Sequence, residues 1–537
     1  MPSPLLTSLL AQFKTTTGEM RKLAGGEGMS ARKPITTIAS SLGACLLLAT
    51  TASSQNLTVT LGTTHQTIRG FGGMNHRIWT GYDLNASDRN LAFGNGTGQL
   101  GFTVLRIWIS DKESDWALEL PTAKDVIARG GIVYATPWNP PASMTETVSR
   151  NNRSEKRLKL ANYADYAAHL NKFAKYMKDN GVALHAISFA NEPDWGFDWT
   201  WWSVDEVYNF TKNNAGVLRA NGNKVITAES FAYSKSFYDK VLNDAAALKN
   251  IDIIGGHFYA SSASSANSFF QYPLADQKAL DKERWMTEHY TDSKGDANLW
   301  AGWIETQDQG QAVRMDSVRA LDVGYEMHRA LVEGRFNNYT WWYIRRDYGP
   351  IKNAGGTVSK RGWVMAQFSK FVRPGWVRVE ATKNPSAHVW TSAYKKGDSV
   401  VVVAINRNMG STATLNLSIP GIRSNALTRY TTSATKNVNN DGTVKVDAGN
   451  ATVTLDASSA TTLVFNVIPV GIDRKSPETV STGVFGVFDL SGARIGQVEV
   501  TAERSLDVAV REVATRPGVY LARSVQGGEV QRIHVGF

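Results

Sequence analysis

The chain has 537 residues, of which 42% are hydrophobic and 20% charged, so it is neither disordered nor fibrous and is long enough for several domains. A single cysteine excludes a disulfide scaffold, a cysteine-based zinc site and a Cys-x-x-Cys redox motif. The formal net charge is +10, but the basic residues are scattered instead of interleaving with aromatic residues in blocks. We therefore favour a mildly basic, solvated surface over nucleic-acid binding, and an acidic polysaccharide is a compatible partner.

Residues 1–55 predict an N-terminal extension followed by a secretory signal. A short basic region precedes residues 35–49, which are apolar or small, and residues 50–55 are small enough for cleavage. We favour Met29 as the true start, and we favour ordinary cleavage over a lipoprotein box at Cys45. Because this apolar run is too short to span a bilayer, we expect a secreted or cell-surface protein without a membrane span.

The next part of the chain predicts an α/β domain. Residues 56–69 predict a strand that leads into a turn, and from residue 70 to 370 short apolar runs alternate with helical stretches. Alternation over this length is typical of a (β/α)8 TIM barrel. The predicted strands are 103–109, 131–136, 184–190, 225–228, 251–258, 284–287 and 338–343, and the predicted helices include 161–180 and 204–221.

The pattern changes to short alternating strands with turn signals after residue 370. Residues 371–467 therefore predict a β-sandwich side domain, and residues 468–483 a linker containing Pro, Ser and Gly. Residues 484–537 predict a further small β unit at the C-terminus.

Two glutamates end predicted barrel strands, which is where TIM barrels place their chemistry. Glu192 follows the apolar run 184–190, and Glu288 follows residues 284–287. A single acid there could be a helix cap, but two converging carboxyls are what glycoside hydrolysis requires. The sequence contains no G-x-S-x-G elbow, H-E-x-x-H motif or Walker loop. This chemistry needs no metal or cofactor, so we expect chelation to leave activity intact.

Seven motifs carry a resemblance to a known family. In chain order they are residues 68–73 (IRGFGG), 105–109 (LRIWI), 135–144 (ATPWNPPASM), 189–193 (FANEP), 286–290 (MTEHY), 341–350 (WWYIRRDYGP) and 359–363 (SKRGW). With these motifs the chain resembles glycoside hydrolase family 30, and most of all its glucuronoxylanase subfamily, over roughly residues 56–467. The resemblance implies a (β/α)8 barrel fused to a β-sandwich side domain that includes the N-terminal strand.

The family's catalytic roles map onto single positions of this sequence. The resemblance implies that Glu192 is the general acid/base and Glu288 the nucleophile of a retaining double displacement. Asn191 would bind the 2-hydroxyl of the reacting sugar, and Tyr259 would position the nucleophile. For Tyr259 and the nearby His257, a hydrogen-bonded core pair is the alternative. The mechanism requires Glu192 protonated and Glu288 ionised in the resting enzyme.

The implied substrate-binding residues form two groups. Trp138 and Trp79 would stack on sugars in the glycone subsites, although plain core packing is the alternative for Trp79. The second group would hold the 4-O-methylglucuronic acid branch of xylan and comprises Tyr290, Ser293, Trp342, Arg346 and Tyr348. An arginine suits a carboxylate-bearing branch because its planar fork binds both oxygens. We favour this role for Arg346 and a structural ion pair for Arg345.

The implied function is endo-acting cleavage of glucuronoxylan, a plant cell-wall polysaccharide, at places set by its acidic branch. The alternatives are a branch-independent xylanase, a β-1,6-glucanase on the same fold, and a non-catalytic polysaccharide binder. Two stretches depart from the family pattern. Residues 293–322 are longer than usual, and residues 143–146 (SMTE) lack the lysine expected after the methionine.

The C-terminal unit resembles another kind of domain. Residues 484–493, 517–522 and 531–535 resemble the C-terminal sorting domains of type IX secretion cargo, which implies the secretion machinery as a partner. A carbohydrate-binding module is the alternative. Residues 484–537 contain no tryptophan, which makes them a poor sugar platform.

Overall fold

The computed structural model describes most of the chain after the predicted signal. The described residues are 55–150, 152–261, 265–290, 320–353, 355–408, 410–424, 426–469, 482–501, 504–515, 518–525 and 530–535. Several sequence predictions lie outside these ranges, namely the signal segment, Ser293, most of residues 293–322 and most of the linker 468–483. Among the described residues, no helix combines the length and the apolar character that crossing a membrane requires.

Eight parallel strands form the predicted barrel. In chain order the first strands of the protein are β1 (Gln55–Thr67), β2 (Gly70–Met74), β3 (Val104–Ile109), β4 (Ile132–Pro137), β5 (Thr145–Arg150), β6 (Arg153–Leu158), β7 (Ala186–Ile187), β8 (Lys224–Val225), β9 (Ile253–His257), β10 (Glu283–Glu288) and β11 (Asn338–Tyr343). The sheet order is β8-β7-β4-β3-β2-β11-β10-β9. Parallel bridges from Ile226 to Ile253 and from Ser230 to Gly256 connect its two edges, so the sheet closes into a barrel. β5 and β6 form a separate hairpin.

Helices follow the strands, as a (β/α)8 fold requires. They are α1 (Arg77–Thr80), α2 (Ala86–Phe93), α3 (Leu120–Ala128), α4 (Tyr163–Asp179), α5 (Val204–Asn213), α6 (Ser236–Leu242), α7 (Ala245–Leu248), α8 (Asn267–Phe270), α9 (Pro273–Lys278), α10 (Ala320–Val332) and α11 (Lys360–Ser369). Short 3-10 helices cover Glu113–Glu119, Ala142–Met144, Leu160–Asn162 and Ala215–Asn221.

The predicted helix 204–221 is two elements in the structure. A capping box of Ser203 and Glu206 begins α5, which ends at Asn213, and a 3-10 helix then covers Ala215–Asn221. The division coincides with two asparagines and a glycine, Gly216, residues that form helices poorly. The prediction of one continuous helix was therefore wrong in this detail.

The first barrel strand, β2, was not among the predicted strands because three of its five residues are glycines. Strand interiors are normally poor in glycine. Here the neighbouring strand leaves no room for a side chain, since a Cβ on Gly72 would lie 1.7 Å from the Val104 carbonyl oxygen. The glycines are therefore needed for the close approach of the strands.

The side domain is built on a nine-stranded sheet. Its strands after the barrel are β12 (Val377–Ala381), β13 (Val389–Lys396), β14 (Ser399–Asn406), β15 (Ala413–Ser418), β16 (Ile422–Arg423), β17 (Ala426–Thr432), β18 (Asn439–Lys445), β19 (Asn450–Leu455), β20 (Ser459–Asn466) and β21 (Ile468–Pro469). The sheet order is β18-β17-β20-β14-β13-β12-β1-β15-β19, so the N-terminal strand belongs to this domain. β16 and β21 pair separately.

Strand β14 ties the side domain to the barrel. Val400 and Val402 on one face belong to the core of the side domain, together with Leu57 of β1. Val401 and Val403 on the other face belong to the large core that includes the barrel helices. Burial on both faces explains the unbroken apolar run of this strand. The predicted fold class, a barrel fused to a β side domain, is confirmed.

The C-terminal unit contains β22 (Gly483–Phe488), β23 (Arg494–Val500), α12 (Leu506–Val513), β24 (Gly518–Ser524) and β25 (Gln531–Val535). Its four strands form one sheet in the order β23-β22-β24-β25. Phe485, Val498, Val510 and Tyr520 contribute to a hydrophobic core of its own. The β character of this unit was predicted, whereas helix α12 was not.

Candidate active site

The carboxyl ends of the barrel strands bring the two glutamates together. Glu288 is the last residue of β10, and Glu192 follows β7 with a backbone φ of 43°. Both side chains are buried. One polar atom each of Glu192, His257 and Glu288 lies within 4.8 Å of the others, so the three groups share one small site.

Glu288 lies between two donors that stabilise a carboxylate. The guanidinium of Arg106, from β3, pairs with its Oε2 atom, and the Tyr259 hydroxyl donates to its Oε1 atom at 2.7 Å. Arg106 is fully buried, so little water screens this ion pair. These two contacts hold the Glu288 carboxyl group in a fixed position beside Glu192, as a nucleophile of the pair requires.

Glu192 lies in an environment that favours its protonated form. Its burial and the nearby negative charge of Glu288 raise its pKa to about 7, although a hydrogen bond to His257 opposes the rise. The distance from His257 Nδ1 to Glu192 Oε1 is 2.8 Å. The raised pKa lets Glu192 keep its proton up to near-neutral pH, as a general acid must.

His257 is held between two carboxyls. Its Nδ1 atom faces Glu192, and its Nε2 atom lies 3.4 Å from Oε2 of Glu229. Burial alone would lower the pKa of His257, but the charge of Glu288 and the bonds to Glu192 and Glu229 raise it to about 9. The histidine thus belongs to the polar network of the site and is not an isolated core residue.

The pH dependence of activity follows from the raised pKa of Glu192. We expect kcat/KM to fall as the pH rises above about 7, because deprotonated Glu192 cannot protonate the leaving oxygen. The measurement is a profile of kcat/KM against pH, with thermal unfolding at each pH as the control for stability. A rate that stays constant well into the alkaline range, with the fold intact, would contradict this assignment.

A buried network below the carboxylates was missed by the sequence analysis. Arg106 also pairs with Glu229 at 3.1 Å and donates to the Asn191 Oδ1 atom at 2.6 Å. Thr136 donates to the other oxygen of Glu229 at 2.7 Å. Although burial opposes it, the positive charge of Arg106 lowers the pKa of Glu229 to about 2, which keeps it ionised. The sequence did carry one signal for this network. Arg106 and Glu229 lie within or next to apolar strands, and a charge buried there must be paired with an opposite charge.

Asn191 has one hydrogen-bonding group left for a ligand. Its Oδ1 atom accepts from Arg106, whereas its buried Nδ2 atom has no hydrogen-bond partner among the described residues. A buried donor without a partner costs free energy unless something binds it. Next to Glu192, this group is placed to donate to a sugar hydroxyl.

Three of the predicted indole rings line one wall of the site. Trp138 and Trp342 are buried with ring centres 5.8 Å apart. Trp79 lies 5.8 Å from Trp138, stacks on His76, and is 46% exposed. This exposure excludes the core-packing alternative for Trp79. The sequence analysis did not identify His76 or the adjacent Trp108 and Trp199.

The predicted branch-binding residues lie next to this wall. Tyr290 and Tyr348 stack with ring centres 4.6 Å apart, and the Arg346 guanidinium lies 4.9 Å from the Tyr343 ring centre. Within the described ranges, Arg346 has no carboxylate partner, whereas Arg345 pairs with Asp88 at 2.6 Å. The fork of Arg346 is therefore available to an anionic ligand. Ser293 lies outside the described residues.

The two glutamates and His257 are also close enough together to be candidate metal ligands. In the described part of the chain, Glu192, His257 and Glu288 are the side chains close enough to hold one ion. Each of them already has a hydrogen-bond or ion-pair partner that suits proton transfer or nucleophilic attack. We therefore assign this cluster to acid-base and nucleophilic chemistry.

The chain is similar to several known proteins over most of its length. No family model matches the chain. The chain is 46% identical over 415 residues to the glucuronoxylanase XynC of Bacillus subtilis (strain 168), covering 77% of this chain and 92% of that protein. Among solved structures, it is similar to a GH30 endoxylanase from Clostridium papyrosolvens C71, with 38% identity, a TM-score of 0.67, and coverage of 76% of this chain and 100% of that one. It is also similar to the subfamily 8 xylanase Xyn30A from Clostridium acetobutylicum, with 32% identity, a TM-score of 0.66, and coverage of 77% and 100%. The chain therefore belongs to glycoside hydrolase family 30, and within that family it groups with the glucuronoxylanases.

Proposed function

We propose that this protein is a secreted endo-xylanase that cleaves the β-1,4-xylosidic bonds of 4-O-methylglucuronoxylan with retention of configuration. The observation that carries the proposal is the pair of carboxyl groups. The pKa of Glu192 is raised to about 7, and Glu288 is held beside it by Arg106 and Tyr259. The names of the relatives, a glucuronoxylanase and two xylanases, support xylan as the substrate.

The spacing of the pair supports retention. Retaining glycosidases hold their two carboxyls about 5 to 5.5 Å apart, whereas inverting enzymes leave about 6.5 to 9.5 Å for a water molecule. Here the polar atoms of Glu192 and Glu288 approach within 4.8 Å. This short approach favours the retaining spacing, in which Glu288 itself attacks the sugar.

The reaction then has two steps. Glu192 donates its proton to the leaving glycosidic oxygen while Glu288 attacks the anomeric carbon and forms a glycosyl ester. Glu192, now ionised, takes a proton from water, which attacks the same carbon and releases Glu288 as a carboxylate. Arg106 and Tyr259 hold Glu288 in line, and Asn191 donates to a hydroxyl of the reacting sugar.

The acidic branch of the substrate fits the surroundings of Arg346. This arginine, which lacks a carboxylate partner in the described ranges, lies 4.9 Å from the ring centre of Tyr343. The Tyr343 ring in turn contacts Trp342 at 4.5 Å and Tyr348 at 6.4 Å. A xylosyl residue could stack on the indoles while its glucuronic acid carboxylate pairs with the guanidinium. The branch would then determine which bond reaches the carboxylate pair.

Substitution of this arginine tests branch recognition. We expect Arg346→Ala to lower kcat/KM on glucuronoxylan by about 10- to 100-fold, the effect of losing a hydrogen bond to a charged group, and to leave unbranched xylan unaffected. Arg346→Lys keeps the charge without the fork, so it should recover only part of the rate. Arg345→Ala would not be a neutral control, because Arg345 forms an ion pair with Asp88. The thermal unfolding of each variant should therefore be measured, to separate a loss of stability from a loss of substrate binding. An unchanged rate for Arg346→Ala would instead favour a branch-independent xylanase or a β-1,6-glucanase.

Secretion and the role of the C-terminal unit are further parts of the proposal. The predicted signal and the resemblance of residues 484–537 to sorting domains support export. The small separate core of this unit agrees with a domain that is not needed for catalysis.

Detectable turnover of xylan would exclude the alternative that the protein is a non-catalytic polysaccharide binder.

A further inference from the structure

A second row of aromatic rings leads away from the nucleophile to the surface. Tyr259, which donates to Glu288, stacks on Phe231 with ring centres 4.9 Å apart. Phe231 stacks on Trp195 at 4.8 Å, and Trp195 meets Phe197 edge to face at 4.9 Å. The last ring, Phe197, is 42% exposed. The row thus begins at the reaction centre and ends in solvent.

The position of this row relative to Glu192 identifies the part of the substrate that it faces. Trp195 is three residues after Glu192, and its backbone N–H donates to the Glu192 carbonyl oxygen at 3.0 Å. A general acid delivers its proton to the oxygen of the leaving group, so the residues beside it contact the leaving half of the chain. Trp138, which the family resemblance assigns to the glycone subsites, follows a different strand, β4. The Trp195–Phe197 end of the row therefore faces the aglycone.

An arginine covers the exposed end of the row. Arg153 is the first residue of β6, is exposed, and places its guanidinium 4.4 Å from the Phe197 ring centre. No ion pair of Arg153 with a carboxylate occurs within the described ranges. Arginine stacked on an aromatic ring keeps its hydrogen-bond donors free at the edge of the fork.

The hairpin places a second arginine opposite the first. Arg150 of β5 is the register partner of Arg153, and like charges directly opposite each other are destabilising. Arg150 pairs with Glu155 and lies 4.5 Å from the Trp201 ring centre, which fixes it against the loop after Glu192. Of the two opposed arginines, only Arg150 has a carboxylate partner among the described residues. An anionic ligand would offset the charge of Arg153.

We propose that Trp195, Phe197 and Arg153 form an aglycone subsite for a xylosyl residue that carries a second uronic acid branch. The inference rests on the proposed function, since it extends the same cleft past the cleaved bond. The sugar stacks on the exposed Phe197 ring and the half-buried Trp195 ring, and its branch carboxylate pairs with Arg153. Cleavage is then favoured between two acidic branches, so branches on both sides of the bond direct the enzyme.

The test compares two defined oligosaccharides. Both carry one glucuronic acid on the glycone half, and one of them carries a second on the aglycone half. We expect the wild-type enzyme to cleave the doubly branched compound faster, and Arg153→Ala to lower its kcat/KM roughly threefold to tenfold without affecting the singly branched one. Lys156→Ala, which removes an equal charge from an exposed position on the same hairpin, is the matched control and should change neither rate.

Further variants separate failure of this inference from failure of the proposed function. Phe197→Ala should lower the rate on both compounds, because stacking serves any xylosyl residue, whereas Arg346→Ala should lower both through the glycone branch. Equal effects of Arg153→Ala on the two compounds, or no effect on either, would overturn the aglycone branch site. Calorimetric binding of both compounds to Glu288→Gln measures the same preference without turnover. The double variant Arg153→Ala/Glu288→Gln should bind the two compounds equally well. That result supports the inference even if the wild-type enzyme cleaves neither compound.

Discussion

Glu288→Ala is expected to lower kcat on glucuronoxylan by about 10⁴-fold or more, because it removes the proposed nucleophile of the first step. The smaller side chain leaves space beside the anomeric carbon, on the face opposite the leaving group. Added azide should occupy this space and attack the sugar directly, which gives a glycosyl azide of inverted, α configuration. The measurement is the rate with and without azide, followed by NMR of the product.

Glu192→Ala is the companion variant for this experiment. An aryl glycoside with a good leaving group needs no proton, so Glu192→Ala should still form the glycosyl ester from it, and azide should then release the β-glycosyl azide. Glu288→Ala should not react rapidly with the same compound in the absence of azide. If azide gave the β product with Glu288→Ala, or if that variant kept its activity, the roles assigned to the two glutamates would be wrong.

Arg106→Met is expected to have the largest effect on stability. Arg106 is fully buried and neutralises Glu229 as well as Glu288, so its removal leaves two buried carboxylates without their cation. Breaking such a buried pair typically costs about 3 to 5 kcal/mol. We expect a loss of this size in the free energy of unfolding, measured with denaturant, together with a large loss of kcat.

A double variant separates the two effects of Arg106. Arg106→Met combined with Glu229→Gln removes one of the uncompensated charges, so much of the stability should return while kcat stays low, because Glu288 still lacks its partner. A single Arg106→Met variant that unfolds within about 1 kcal/mol of the wild type would contradict the buried network as the support of the site.

Local sequence signals were sufficient for the barrel and for the proximity of the two glutamates. Apolar strands alternating with amphipathic helices predicted the (β/α)8 architecture. Glu192 and Glu288 were expected to meet because each follows or ends such a strand, and the structure brings them together. Strand β2 was missed for a physical reason. Its glycines are required by contact with β3, and a contact between distant segments leaves no local pattern.

The supporting residues of the site were harder to predict for the same reason. Arg106 and Glu229 are 123 residues apart in the chain, and their charges make sense only once the closed barrel brings β3 and the segment after β8 together. The aromatic row from Tyr259 to Phe197 likewise joins three separate loops. For Trp79, the choice between sugar stacking and core packing depends on how exposed the ring is. The exposure of a single side chain cannot be read from the sequence.

Mass spectrometry of the products tests the central claim most directly, with 4-O-methylglucuronoxylan and unbranched xylan digested side by side. We expect glucuronoxylan to give oligosaccharides that each carry a glucuronic acid, with little release from the unbranched chain, since in the proposed function Arg346 binds the branch. Equal digestion of both polymers would contradict branch-directed cleavage, and digestion of neither would contradict xylan as the substrate.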